Sequence, residues 1–305
     1  MNKYLLSYIK LKYPNSNNFK FYDNSIIFTN NGHKYVIKKN KNDYLSLYKY
    51  LDSRGFIYLP KLEYIDKNIY VYKYENDLFI PSEQKISDLV RLIALLHNKT
   101  VYYKDISKDE VKEIYEKLSY KISDTYMYYE DIISMIEGNI YMSPSYYMLA
   151  RNISSFFNVL DFCKKTLDSW YELMKNKTKK REVLLHNNLD LSHVITNKES
   201  KLISFDKARR DIPIYDFIYL YKKCYDKYDF TSLYKEYLTK FQLLEEEKIL
   251  MYIILFIPKK VSLNDSEIKN VIEVSKLCNY LYITNNLFME DKSINPQKQN
   301  SDINK

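Results

Sequence analysis

The stretch VLLHNNLDLSHVI (183–195) contains residue types that could do chemistry. An apolar run ends at His186, and Asn188, Asp190 and His193 follow before apolar residues resume. Histidine and carboxylate side chains can move a proton or bind a metal ion. Asp190 is the only carboxylate in the stretch. The stretch is therefore either an active site or a segment that has the shape of one without its chemistry.

A second polar stretch, ISFDKARRDIPIYDF (203–217), begins shortly afterwards. The turn residues TNKES (196–200) separate two short apolar runs, and this order predicts a hairpin between the two polar stretches. Asp206 follows the second apolar run. Its carboxylate could hold a metal ion, or it could simply pair with the neighbouring basic side chains of Lys207 or Arg209.

Together the two stretches resemble the kinase-like family that includes aminoglycoside phosphotransferases, choline kinases and, most closely, spore-coat kinase-like proteins. The catalytic loop of that family has the pattern H-x-D-x-x-x-x-N. His186 matches its histidine, Asn188 its catalytic aspartate and His193 its metal-binding asparagine. The second stretch resembles the family's metal-binding segment, with Ser204 in place of the metal-binding aspartate. The agreeing positions are Ile203, Phe205, Asp206, Ala208, Asp211, Pro213 and Asp216.

Other parts of the chain extend this resemblance, which covers roughly residues 20 to 225. Lys38 lies where the family's third-strand lysine contacts the phosphates of ATP. The segment LIALLHNKT (92–100) resembles a helix end of the family, with its histidine present as His97. The resemblance implies structural roles for His97 and for Asp216, which would cap or support the loop.

Three departures from the family pattern affect the chemistry. Phosphoryl transfer needs a carboxylate to accept the proton of the acceptor hydroxyl and oxygen ligands to hold Mg²⁺. The amide of Asn188 cannot accept a proton at neutral pH. Ser204 has no charge to balance Mg²⁺, a cation that prefers carboxylate and phosphate oxygens. His193 offers nitrogen, which suits zinc or copper better.

The N-terminal part departs from the pattern as well. The turn DNS (23–25) lacks the glycines that let backbone N–H groups approach a phosphate, and Asp23 would repel one. The helix predicted after Lys38 has no glutamate in its first turns, and Asp43 is the nearest acid. We therefore predict a pseudokinase that acts by binding an unknown protein or small-molecule ligand. Lys38 is the candidate cofactor-binding residue, and no catalytic or metal residue is assigned.

Two alternatives remain open. The chain could be an active phosphotransferase that uses ATP and Mg²⁺ on a small-molecule hydroxyl, with Asp190 as the base and Asp206 as a metal ligand. If the chain is instead a pseudokinase, His186 is a hydrogen-bonded structural histidine and Lys38 is an ordinary strand lysine. The chain could instead bind nucleic acid or a membrane surface through its formal charge of +8. Only six of its basic residues are arginines, and the abundance of Lys, Tyr, Asn and Ile is typical of an AT-rich gene. Both observations argue against nucleic-acid binding.

The hydrophobic patterning predicts an α+β fold with two lobes. Three strand-like runs, a helix and a second hairpin form an N-terminal lobe over residues 1–78, with an antiparallel sheet of five strands. Helical periodicity dominates the second lobe, 79–288, which also contains the polar hairpin. Residues 289–305 lack periodic apolar residues and are predicted to be disordered. Three widely spaced cysteines and the lack of a long apolar run predict a cytoplasmic protein without a transmembrane segment.

Overall fold

The structure, a computed structural model, describes residues 2–22, 24–39, 43–66, 68–264 and 266–291. Contacts divide the chain into two compact units. Unit 1 consists of residues Met1–Val101, Val183–Arg210 and Thr239–Phe241. Unit 2 consists of residues Tyr102–Glu182, Asp211–Leu238 and Gln242–Lys305.

Unit 1 is built on an antiparallel sheet with the strand order β1-β2-β3-β5-β4. The predicted sequence of three strands, one helix and two strands is confirmed. An additional helix, α1, precedes the sheet and was not predicted. The elements are α1 (Asn2–Lys12), β1 (Ser16–Phe21), β2 (Ser25–Asn30), β3 (His33–Lys39), α2 (Tyr44–Ser53), β4 (Leu62–Ile65) and β5 (Ile69–Lys73).

Alternating burial fixes the sheet's inner face. Ile26 and Phe28 of β2 are fully buried, whereas Ile27 between them is only partly buried. Helix α1 packs Leu5 and Ile9, one turn apart, into the same apolar cluster. The apolar residues Leu5 and Ile9 therefore form the core-facing stripe of a helix.

Tight turns join the strands. Asn31 and Gly32 between β2 and β3 both have positive φ angles, 49° and 79°. Two consecutive residues of this kind match the twist of a hairpin, and asparagine followed by glycine is the pair that adopts it most readily. Gly55, with φ of 67°, follows the C-cap residue of α2 and adopts the left-handed conformation that commonly ends a helix.

Helix α3 (Ser82–Lys99) and the polar hairpin also belong to unit 1. Ser82 is of a residue type that often caps helices, but the N-cap of α3 is Pro81. The backbone carbonyl of Pro81 accepts the first intrahelical bond, from the N–H of Lys85 at 3.0 Å, so Ser82 is already helical. Its hydroxyl donates instead to Glu83. The short strands in and around the polar hairpin are β7 (Lys179–Leu185), β8 (Val194–Thr196), β9 (Ser200–Leu202) and β10 (Arg209–Asp211).

Unit 2 is mostly helical. Its strand β6 (Tyr102–Asp105), which was not predicted, pairs antiparallel with the first four residues of β7. Ser107 begins α4 with a capping box, because its hydroxyl accepts from the N–H of Glu110 while the Glu110 carboxylate accepts from the N–H of Ser107. The helices are α4 (Lys108–Glu137), α5 (Pro144–Met174), α6 (Ile214–Cys224), α7 (Phe230–Lys240), α8 (Glu245–Phe256) and α9 (Glu267–Glu290).

The predicted α+β class is confirmed, with a five-stranded sheet near the N-terminus and helices over most of the remainder. The lobe boundary near residues 78–79 stays a prediction. Helix α9 continues through Glu290, so the first two residues of the predicted tail are helical, and residues 292–305 lie outside the described part. Within the described ranges, no helix is long and apolar enough to cross a bilayer.

A buried ion pair joins β7 to α8 inside unit 2. The guanidinium of Arg181 donates two hydrogen bonds to the carboxylate of Glu247, and the one from Nε measures 2.9 Å. The two side chains are only 9% and 5% exposed. Arg181 donates a further bond to the backbone carbonyl of Gln242 at 2.8 Å. Two parallel bonds between planar groups make this contact geometrically specific.

We expect Glu247→Ala to lower the free energy of unfolding by about 3 kcal/mol, because it leaves the buried guanidinium of Arg181 without its counter-charge. The matched control is Glu116→Ala, which removes the exposed pair between Lys112 and Glu116, where both side chains are 62% exposed. That change should cost less than about 0.5 kcal/mol. Urea unfolding followed by circular dichroism measures both free energies. Equal losses of unfolding free energy in the two variants would contradict the stabilising role of the buried Arg181–Glu247 pair.

Candidate functional site

The predicted site residues lie mainly around the polar hairpin of unit 1. Strand β7 ends at Leu185, a loop follows, and a short 3-10 turn (Leu191–His193) leads into β8. Strands β8 and β9 pair antiparallel, with Val194 opposite Leu202, which confirms the predicted hairpin. A second 3-10 turn, Phe205–Lys207, comes after β9.

His186 connects the loop to the residues after β9. Its side chain is fully buried, and Nε2 lies 2.8 Å from the backbone oxygen of Ile203. Its ring lies edge-on to that of Phe205 with the centroids 4.7 Å apart. Because the carbonyl can only accept, Nε2 carries the proton and donates. These contacts fix the distance between the two polar stretches.

The rest of the loop is held by local hydrogen bonds. The ring nitrogen Nδ1 of His193 lies 2.6 Å from the backbone oxygen of Asn188 and donates to it. Asn187 has a positive φ of 55°, and its side-chain amide donates to the backbone oxygen of Lys207 at 3.1 Å. The Asp190 carboxylate accepts from the N–H and the hydroxyl of Ser192, at 2.8 and 2.6 Å. Asp190 therefore caps the 3-10 turn.

Lys38 contacts the second polar stretch directly. It lies on β3 opposite Tyr70 of β5, and its Nζ donates to the hydroxyl of Ser204 at 2.8 Å. Ser204 has a left-handed backbone, with φ of 68°. Burial lowers the pKa of Lys38, and the nearby negative charge of Asp206 partly opposes that effect. The structure thus brings together three of the residues that the sequence singled out.

Asp206 is bound by a residue that the sequence did not single out. The hydroxyl of Tyr44, at the start of α2, donates to the Asp206 carboxylate at 3.2 Å. The ring of Tyr44 stacks on that of Tyr70 with the centroids 4.3 Å apart and the planes inclined by 16°. Burial raises the pKa values of both phenols, so they remain protonated near neutral pH. We refer to Lys38, Ser204, Asp206, Tyr44 and Tyr70 as the Lys38 cluster.

Asp43, the nearest acid after β3, has a local role. Its carboxylate accepts from the N–H of Ser46 at 3.1 Å and from the Ser46 hydroxyl, and so caps α2. The position of Tyr44 directly after a capping residue is the sequence signal that could have placed it on the first turn of α2. Its stacking on Tyr70 depends on the strand register and could not be read from the sequence.

His97 and Asp216 are both buried, in different units. His97 lies in α3 of unit 1, where its ring contacts Phe241 edge-on with the centroids 5.7 Å apart. Asp216 lies in the first turn of α6 in unit 2, close enough to Tyr237 for its charge to raise the pKa of that phenol, after the larger effect of burial. Their structural roles stay predictions. Asp23, expected to repel a phosphate, lies outside the described residues.

The donors around the Lys38 cluster do not fit a Mg²⁺ ion. Mg²⁺ needs several oxygen ligands, usually including carboxylates. Ser204 is bonded to an ammonium group, and Asp206 accepts from a phenol. Among the described residues, no group of three or more His, Cys, Asp or Glu side chains is arranged to hold a metal ion. The side chains of the cluster therefore do not form a Mg²⁺ site.

No protein-family sequence profile and no curated protein matches the chain. Solved structures, in contrast, do align with the chain. An aminoglycoside phosphotransferase from Alicyclobacillus acidocaldarius aligns with a TM-score of 0.64 and 10% identity, over 90% of this chain and 92% of that one. The AMP-bound spectinomycin phosphotransferase aligns with a TM-score of 0.52 and 12% identity, over 92% and 97%. At such identities the likeness concerns the fold, and we conclude that the chain has a kinase-like α+β fold of the type found in these phosphotransferases.

Proposed function

We propose that this chain is a catalytically degenerate kinase-like protein, a pseudokinase, that acts by binding rather than by phosphoryl transfer. One observation carries the proposal. The lysine expected to contact phosphates and the residue in the metal-binding position are hydrogen-bonded to each other, Lys38 to Ser204 at 2.8 Å. Side chains that would have to hold a nucleotide and its metal thus have partners within the protein.

The charge balance of the cluster supports this view. Phosphoryl transfer from ATP places several negative charges beside the lysine and needs a metal ion to offset them. The Lys38 cluster contributes one ammonium and one carboxylate, that of Asp206, and the carboxylate already accepts from Tyr44. A Mg²⁺ ion at Ser204 would face an ammonium group instead of a negative charge. Repulsion between the two cations opposes metal binding there.

The catalytic loop supports it as well. The side chain of Asn188 is an amide and has no basic group that could take the proton of a hydroxyl acceptor. Its backbone oxygen accepts from His193, so the loop has a defined shape without a base at this position. Asp190, the carboxylate two residues further on, caps the 3-10 turn through Ser192. To act as a base in place of Asn188, the Asp190 carboxylate would have to break its two hydrogen bonds with Ser192.

Aromatic packing is the third support. Tyr44 and Tyr70 are each only 2% exposed, and their stacked rings lie directly beside the polar atoms of the cluster. A nucleotide bound against Lys38 would have to displace this pair or approach from another side. Stacked, fully buried aromatic rings contribute strongly to packing, so their displacement is costly.

An active phosphotransferase that uses ATP is the second candidate. The observation that favours it is the proximity of Asp206 to Lys38: burial lowers the pKa of the lysine, and the carboxylate is close enough to oppose part of that lowering. Two solved proteins of similar fold are a phosphotransferase and a phosphotransferase bound to AMP. In this version Asp206 holds a metal ion and Asp190 acts as the base. The ligand class would then be a small molecule with a hydroxyl group.

The first test is thermal unfolding with ATP, with and without Mg²⁺, combined with an ATP turnover assay. We expect the wild-type protein to show no Mg²⁺-dependent rise in Tm and no turnover. The variant Asn188→Asp/His193→Asn/Ser204→Asp restores the family's oxygen ligands, and we expect it to gain a Tm rise that EDTA removes. A ligand present at a hundred times its Kd stabilises by about 2.7 kcal/mol, which such a scan resolves.

The matched control replaces Ser204 with Asn instead of Asp in the same triple variant. Asparagine has nearly the same shape but no charge, so the gain should disappear if it depends on the carboxylate. Mg²⁺-dependent turnover by the wild-type protein that is lost in Asp206→Ala would contradict the pseudokinase proposal and favour the second candidate.

Asp190 gives an independent test of the loop. Asparagine caps helical turns about as well as aspartate, whereas alanine lacks the acceptor. We therefore expect Asp190→Asn to leave the free energy of unfolding within about 0.5 kcal/mol of the wild-type value, and Asp190→Ala to lower it by about 1 kcal/mol. Urea unfolding measures both. If Asp190→Asn instead removes a phosphotransfer activity measured in the wild-type protein, Asp190 is the base of an active enzyme.

A further inference from the structure

A cavity of about 600 Å³ lies within unit 2. Its walls come from α4, the C-terminal part of α6, the segment after α8 and the face of α9. The volume falls in the range of cavities that bind small molecules. None of its lining residues belongs to the Lys38 cluster or to the two polar stretches that resemble phosphotransferase motifs.

The cavity is positively charged. Five lysines and two acidic residues line it, and these are Lys121, Lys222, Lys259, Lys260, Lys276, Asp124 and Glu273. Two of the lysines pair with the acids. Lys260 lies 2.8 Å from Asp124, and Lys259 lies 3.8 Å from Glu273. Within the described ranges, Lys121, Lys222 and Lys276 have no carboxylate partner, so three positive charges remain.

Lys222 lines the cavity close to the charge of Lys121. The surrounding walls and the charge of Lys121 lower its pKa to about 8, the walls having the larger effect. Lys222 is an exposed residue that lines the cavity, and its Nζ donates to the backbone oxygen of Ile254 at 3.2 Å. An ammonium group with two further hydrogens to donate thus faces the cavity beside a second one. An anion between them would relieve their repulsion.

The remaining wall is apolar and aromatic. Tyr225 and Tyr280 pack edge to face with the ring centroids 4.9 Å apart. Their hydroxyls donate to backbone oxygens of Lys276 and Leu255, so both hydroxyl protons already have acceptors within the protein. Aliphatic side chains complete the wall, namely Ile257, Pro258, Val261 and Leu277. A ligand that fills the cavity therefore needs an apolar or aromatic body as well as a negative charge.

A phosphate fits these walls better than a carboxylate does. A carboxylate carries one negative charge and would leave two of the three ammonium groups uncompensated. A phosphate monoester carries nearly two negative charges at neutral pH and has three terminal oxygens that accept hydrogen bonds. Lysine ammonium groups bind such oxygens as point charges. The two intact ion pairs, Lys260–Asp124 and Lys259–Glu273, limit the positive charge and so disfavour much larger polyanions.

We propose that this cavity binds a small organic phosphate, a phosphate monoester or diphosphate attached to an apolar or aromatic body, with Lys121, Lys222 and Lys276 as its anchors. The proposal does not depend on the pseudokinase assignment, because its residues lie in unit 2 and the Lys38 cluster lies in unit 1. The protein would thus have a ligand site separate from the residues that resemble a phosphotransferase centre.

Isothermal titration calorimetry of the full chain with phenyl phosphate and with inorganic pyrophosphate tests this proposal. We expect phenyl phosphate to bind the wild-type protein and Lys121→Gln/Lys222→Gln to bind it at least about tenfold more weakly, since each lost charge-assisted bond is worth more than about 1 kcal/mol. Lys222→Arg, which keeps the charge, should retain most of the affinity. The matched control is Lys117→Gln, one turn away on α4, exposed and outside the cavity.

Several results would overturn the proposal. One is the absence of binding to both probes, and another is equal affinity in the wild type and the double variant while circular dichroism shows both folded. A third is loss of binding in Lys38→Gln but not in the double variant, because the phosphate would then lie in unit 1. A fourth is binding only to phosphatidylcholine vesicles that contain phosphatidic acid, which would identify a lipid surface rather than a small molecule.

Discussion

The hydrogen bond between Lys38 and Ser204 joins two parts of unit 1 that are 166 residues apart in the sequence. On one side is the central region of the sheet, where β3 lies between β2 and β5. On the other side is the segment after β9, which His186 ties to the loop through Ile203. Tyr44 and Asp206 form a second link of the same kind. The polar hairpin owes its position beside the sheet to such contacts, and buried polar groups that satisfy one another define one arrangement.

Positive charge has different consequences in the two units. In unit 1 the ammonium of Lys38 is matched within the protein, by the hydroxyl of Ser204 and the nearby carboxylate of Asp206. In unit 2 three lysines face a cavity without carboxylate partners in the described part of the chain. The formal charge of +8 is a property of the whole composition and cannot distinguish the two cases. The local pairing of each lysine decides whether its charge is available to a ligand.

The sequence predicted those parts of the fold that depend on residues close together in the chain. Hydrophobic alternation predicted the five strands, because this signal acts over a few residues. The unpredicted elements are α1 and β6. Helix α1 is short and buries Leu5 and Ile9, and β6 consists of the exposed residues Tyr102–Asp105, whose strand geometry depends on pairing with β7. Within the site, the motif spacing located Lys38, Ser204 and Asp206, but the stacked Tyr44 and Tyr70 depend on the tertiary fold.

The left-handed backbone of Ser204 bears on how the chain could change over evolutionary time. Asparagine and aspartate enter this region of φ more readily than other residues with a side chain, and a serine held there stores strain. A mutation from serine to aspartate at this position would therefore ease the backbone and add a negative charge beside the ammonium of Lys38. The main-chain conformation at residue 204 is thus no barrier to regaining a carboxylate. It accommodates aspartate as well as serine.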